Sequence, residues 1–182
     1  MLRYAFRLHR WGMIGYGVVL FVSTYVNSSA FEQVAGTTAA SRQAFASSMG
    51  ALAVQLSYLL PPPHRLDTLA GYVAWRGYGT YPLVLAIWVI AAAAGAVRRD
   101  EERQLVDSWL AEGISRARLV VSRLAAFAAA SLVAAALGAI GTLLGAARYD
   151  PIGLGPVAGQ TLAVWLFTVA GFALCYLVAQ LV

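Results

Sequence analysis

The chain has 182 residues, of which 60% are hydrophobic and 12% charged, with a net charge of +5. A soluble domain carries about twice that share of charge, so the composition excludes one and fits an integral membrane protein. All thirteen positive charges are arginine. A phosphate-binding P-loop needs a lysine, so the chain by itself is not a P-loop ATPase. Most of the arginines flank apolar segments, which argues against nucleic-acid binding.

Residues 1–11 read as a short amphipathic helix. Arg3, Arg7 and Arg10 recur at helical spacing beside Tyr4, Leu8 and Trp11. Such a helix lies in the membrane interface, with arginines at the lipid headgroups and aromatic rings inward. Residues 11–26 form the first predicted span, short of the roughly 20 residues a bilayer needs unless its interfacial ends extend it. A signal peptide competes with this reading, since a basic start and an apolar core precede Ser28, Ser29 and Ala30.

Residues 27–65 are a polar excursion. Within it Phe45, Met49, Leu52, Leu56 and Leu59 step by four and three, which predicts an amphipathic helix. Ser41 is its candidate N-cap, and the three prolines 61–63 stop it. His64 in this loop, and His9 before it, read as ordinary solvated histidines. Residues 66–97 begin with an interfacial part in which Tyr72, Trp75, Tyr78 and Tyr81 form an aromatic belt around Arg76. Pro82 opens the second span.

Residues 98–123 hold six of the thirteen basic and five of the eight acidic residues. This island lies between apolar segments and reads as a loop between spans. From Asp100 to Leu110 it has the pattern of a short helix with Leu105, Val106, Trp109 and Leu110 on one stripe. Glu102 lies on the apolar side, where it serves docking or holds the helix to Arg3 and Arg7. Glu112-Gly113 ends the helix, with Gly113 at C′, and Ser115 caps the next one, whose first turns carry Arg116, Arg118 and Arg123. A loop that only satisfied topology has little need of Trp109 beside two leucines.

The third span is predicted over 119–144. Gly138, Gly141 and Gly145 lie near one side of it as a close-packing face. A short turn with Arg148, Asp150 and Pro151 leads to a fourth span over 156–182. Cys175 sits in an apolar run and reads as a packing residue. Nine arginines in the first and third hydrophilic segments against four in the second and fourth place the N-terminus and the island in the cytoplasm. No charged residue lies deep inside a predicted span, which disfavours an ion-coupled transporter. No catalytic or metal-binding constellation is visible, so neither enzyme activity nor a cofactor is expected.

The fold expected is therefore all-α and membrane-integral. It comprises four transmembrane helices, an N-terminal interfacial helix, an outer amphipathic helix and a cytoplasmic helix in the island. All belong to a single transmembrane domain over 1–182.

Glu101-Glu102-Arg103, Leu105-Val106-Asp107, Ser115-Arg116 and Arg118-Leu119 resemble the first cytoplasmic loop of the type-two ATP-binding-cassette (ABC) export permeases. Gly71-Tyr72, Trp75-Arg76 and Leu85-Ala86-Ile87-Trp88 look like the branch with antibiotic exporter permeases. The resemblance follows the whole chain in order. Two departures stand out: the family break often has a proline where Glu112-Gly113 stands here, and the family module has six spans.

The resemblance implies that the island is a coupling helix. Glu101, Glu102, Arg103, Leu105, Val106, Trp109, Leu110, Ser115 and Arg116 would dock on a separate ABC-type ATPase subunit. It further implies efflux of a hydrophobic or amphipathic small molecule across the plasma membrane. The remaining spans would follow in a longer permease, or a second half or homodimer mate would supply the other side. The alternative function is a non-transporting membrane subunit for assembly or anchoring. With two family spans missing, the Gly138, Gly141 and Gly145 side is expected to lack its natural neighbours.

Overall fold

The computed structural model describes residues 2–55, 62–102, 109, 111–149 and 152–180, with the side chains of residues 2, 3 and 99–102 left aside. Among these residues the secondary structure is helical. The elements are α1 (Leu2–Ser29), α2 (Phe31–Ala35), α3 (Ala39–Gln55), α4 (Leu69–Tyr72) with a π-helical turn (Val73–Tyr78), α5 (Tyr81–Glu102), α6 (Arg116–Ala146) and α7 (Leu154–Ala179). Three stretches are long and apolar enough to cross a membrane: Leu69–Arg98, Arg116–Ala146 and Leu154–Ala179, of 30, 31 and 26 residues. Even the shortest reaches about 39 Å at ~1.5 Å per residue, beyond the ~30 Å of a hydrocarbon core. Their outward faces carry Ile87 and Ile90 on α5, Val121 and Leu144 on α6, and Leu166, Phe167 and Leu174 on α7. Large exposed aliphatic side chains along entire helices match a hydrocarbon surrounding.

The four long helices form a ring in the order α1, α6, α7, α5, with α1 and α6 packed along their length and α1 and α5 touching only briefly. The α1–α6 seam is made of small residues. A Cβ built on Gly138 would meet Leu20 Cβ at 3.3 Å, one on Gly141 would overlap the Phe21 carbonyl, and one on Gly145 would sit 2.6 Å from the Tyr25 carbonyl. Absence of side chains here lets the two backbones approach, and Thr24 Oγ1 then donates across the seam to the Gly138 carbonyl at 2.8 Å. The glycine face expected to lack neighbours is thus filled by α1 of the same chain.

Several local expectations are corrected. Residues 1–11 do not form a separate interfacial helix: α1 is continuous from Leu2 to Ser29, because no proline or polar break separates the arginine stripe from the apolar run. Thr38, not Ser41, opens α3. Thr38 Oγ1 accepts the Ser41 N–H at 3.1 Å and Ser41 Oγ accepts the Thr38 N–H at 3.2 Å, a reciprocal cap. The buried side of α3 is Phe45, Ala46, Met49 and Ala53, while Leu52 is exposed; Leu56 and Leu59 lie outside the described residues. The aromatic belt is not at a lipid interface either. Tyr72, Trp75, Tyr78 and Tyr81 are all buried: Tyr72 packs on Phe31 and Phe45, Trp75 clusters with Ala53 and Leu66, and the Tyr78 and Tyr81 hydroxyls reach α6, α7 and α1.

Polar groups close the end of the bundle where α1 and α6 finish. Tyr81 Oη donates to the Leu20 carbonyl at 3.1 Å. Tyr78 Oη lies 3.3 Å from Thr142 Oγ1 and 3.4 Å from Thr161 Oγ1, joining α6 and α7. Tyr149 Oη donates to the Ser29 carbonyl at 2.9 Å, fixing the turn after α6 to the end of α1. Each bond satisfies a hydroxyl that would otherwise be costly in an apolar interior.

Candidate functional site

The other end of the bundle, where α1 and α6 begin and α5 and α7 finish, is built from aromatic rings around two basic side chains. Tyr16 stacks on Trp88 with centroids 5.1 Å apart, Trp88 leans on Phe127 at 5.1 Å, and Phe127 stacks on Phe172 at 4.0 Å. The rings come from α1, α5, α6 and α7 in turn, so one column ties the four helices together. His9 stands edge-on to both Phe127 and Phe172, with centroid distances of 5.4 and 5.9 Å. It is 3% exposed, which corrects the solvated reading. Its place on α1, two turns before Tyr16, turns it inward on the face that meets α6.

One turn before Phe127 on α6 lies Arg123, the largest fully buried side chain among the described residues at 1% exposure. Its guanidinium sits 5.2 Å from the Tyr4 ring centre and 5.6 Å from that of Trp109. The Tyr4 and Trp109 rings meet edge to face at 5.9 Å. Cation–π attraction in a desolvated site contributes up to about 2 kcal/mol. Arg123 stands in the first turns of α6, where the sequence places it, and it is enclosed there. Arginine suits such a place because its weakly hydrated, planar charge stacks on rings.

Trp109 belongs to the charged island, so the island's end is held against α1 and α6. The chain turns sharply directly after it. Gly113 has φ 80°, and the Ile114 N–H donates to the Trp109 carbonyl at 3.0 Å, a Schellman closure with glycine at C′. Ser115 then caps α6, its Oγ accepting the Arg118 N–H at 3.3 Å. The Glu112-Gly113 stop and the Ser115 cap stand where the sequence placed them. Arg116 and Arg118 are exposed. The backbone of Glu101 and Glu102 forms the last turn of α5. Arg103, Leu105, Val106 and Leu110 lie outside the described residues.

The cluster of Tyr4, His9 and Arg123 was missed in the sequence because each was read within its own segment. The available signal was Arg123 and Phe127 at i, i+4 within an otherwise apolar run. Two lateral clefts flank the column. One of about 230 Å³ lies between α1 and α5. The other, about 170 Å³, lies between α5 and α7, lined by Leu85, Val89, Phe167, Gly171 and Cys175. At the end of the bundle where α1 and α6 finish, a wider hollow of about 420 Å³ is lined by His64, Trp75, Tyr78 and Gln160.

No protein-family model, curated protein or solved structure matches this chain.

Proposed function

We propose that this chain is a membrane-spanning permease subunit of an ATP-driven exporter of hydrophobic or amphipathic compounds, worked by a separate ABC-type ATPase. In this reading α1 is a fourth span beside the three longer apolar stretches. In this reading the N-terminus and the island face the cytoplasm across the plasma membrane, a placement supported by nine arginines against four. The observation that carries the proposal is the seat of Trp109 on Tyr4 and Arg123. A loop hooked by one bulky side chain onto α1 and α6, then joined stiffly to α6 by the Gly113 turn and the Ser115 cap, passes a push from a partner directly to two long helices. The ATPase supplies the nucleotide chemistry and this chain the moving helices. The clefts beside the aromatic column offer apolar walls of the kind hydrophobic ligands occupy.

Trp109→Ala tests the reading. The expected outcome is normal membrane insertion with reduced copurification of the ATPase, or reduced stimulation of its hydrolysis by amphipathic compounds. Wild-type values for both readouts sink the proposal. An ATPase that copurifies but never responds to such compounds favours the non-transporting, anchoring subunit.

A further inference from the structure

The hollow at the end of the bundle where α1 and α6 finish has the features of a small-molecule site. Its volume is about 420 Å³, within the ~300–1,000 Å³ of ligand pockets and above the ~150 Å³ that holds a benzene-sized guest. Its walls come from separate parts of the chain. The π-helical turn supplies Ala74, Trp75 and Tyr78, the segment before α4 supplies Pro62 and His64, and α7 supplies Gln160.

Backbone features that cost free energy converge on these walls. A π-helical turn is rare and is found mostly at functional sites. Arg65, next to His64, has φ 53°, a left-handed conformation that a side chain disfavours. Its carbonyl is held by Thr68 Oγ1, which donates to it at 2.8 Å and accepts the Gly71 N–H at 3.2 Å. A Cβ on Gly71 would stand 2.7 Å from the Arg65 carbonyl carbon, so the segment folds this closely onto α4 because a glycine is there. Local strain persists where the surrounding structure holds a site in shape.

The lining sets the chemistry of the guest. Trp75 and Tyr78 present aromatic rings, and Pro62 and Pro82 add apolar edges. Such walls favour another ring. His64 and Gln160 are exposed, and neither has a hydrogen-bond partner among the described residues. Each can donate and accept. Arg65 and Arg76 are near in sequence but do not line the hollow, and among the described residues no carboxylate lines it. An ionic guest would leave its charge unpaired against these walls, whereas a neutral one with polar substituents is matched.

We propose that this hollow binds a compact, neutral aromatic compound with hydrogen-bonding substituents, its ring against Trp75 and Tyr78 and its polar groups at His64 and Gln160. The site goes beyond the export reading and does not depend on it.

The test is equilibrium dialysis of 1-naphthol at neutral pH against the whole chain in nanodiscs of zwitterionic lipid, with uptake by empty nanodiscs subtracted. The comparison ligands are 1-naphthoate, 1-naphthylmethylammonium and the saturated alcohol decahydro-1-naphthol. The expected result is saturable binding of 1-naphthol, tighter than that of all three comparison ligands. Gln160→Leu should weaken it roughly three- to tenfold, and Ala74→Leu, which puts a larger side chain into the hollow, should abolish it. Absence of saturable binding overturns the proposal, as does equal affinity for either ion or for the saturated alcohol, or unchanged affinity in Ala74→Leu. If Ala74→Leu loses its helical circular dichroism, Gln160→Leu decides, and a wild-type affinity there overturns the proposal. The measurement involves no ATPase, so its failure leaves the export reading standing, and uncoupled hydrolysis leaves the hollow standing.

Discussion

Replacing Gly141 by alanine should destabilise the bundle, although alanine is the better helix former. The new methyl would stand 2.5 Å from Thr24 Oγ1 and overlap the Phe21 carbonyl oxygen. Ordinary contact begins near 3.4 Å, so α1 and α6 would have to part by about 1 Å, the overpacking response of a close-packed interior. The Thr24 to Gly138 bond, now 2.8 Å, would not survive that shift. Overpacking costs about 1–3 kcal/mol and the lost bond about 0.5–1.5 kcal/mol. Against these, Gly→Ala in a helix returns about 1 kcal/mol. The net expectation is a loss of about 0.5–3.5 kcal/mol. Gly159→Ala is the matched control, because a Cβ there meets nothing within 4 Å and the helix term alone should stabilise by about 1 kcal/mol. Unfolding of both variants in mixed micelles, followed by circular dichroism, should place them on opposite sides of the wild type. A Gly141→Ala protein as stable as Gly159→Ala would refute the close approach of α1 and α6.

Phe127→Ala removes the ring shared by His9, Trp88 and Phe172, and the same unfolding assay should show a loss of about 3–5 kcal/mol. Tyr4→Leu keeps an apolar body but removes one of the two rings against Arg123; about 0.5–2 kcal/mol should be lost, with faster proteolysis of the loop carrying Trp109, and an unchanged cleavage rate would contradict the hook. Single cysteines at Ser47 and Ser108, in a Cys175→Ala background, test the topology in intact cells. An impermeant thiol reagent should label Ser47→Cys and spare Ser108→Cys, and the reverse pattern would invert the orientation.

Much of the helical layout was legible in local pattern. The apolar runs marked the three longest stretches because length and composition alone satisfy a hydrocarbon core. Pro82 near the start of α5, Gly113 at the island's stop and Ser115 as the cap of α6 were readable because backbone dihedrals and orphan N–H groups are requirements of their own few residues. Other features belong to pairs of segments far apart in the chain. Periodicity says that Tyr72, Trp75, Tyr78 and Tyr81 cluster, but not whether lipid or protein covers them; packing against distant segments decided that they are buried. A stripe of glycines states that something packs closely there, while the parallel run of α1 beside α6 decided what does. His9 read as a solvated histidine and Arg123 as a residue of the first turns of its helix, because their enclosure depends on rings from other helices. The sequence by itself determined that the chain is helical with long apolar stretches, and it set the Gly113 stop and the Ser115 cap, since those depend on neighbours within a few residues. Only the tertiary structure decided which faces meet, and therefore that His9 packs on an aromatic column while Arg123 is enclosed by Tyr4 and Trp109.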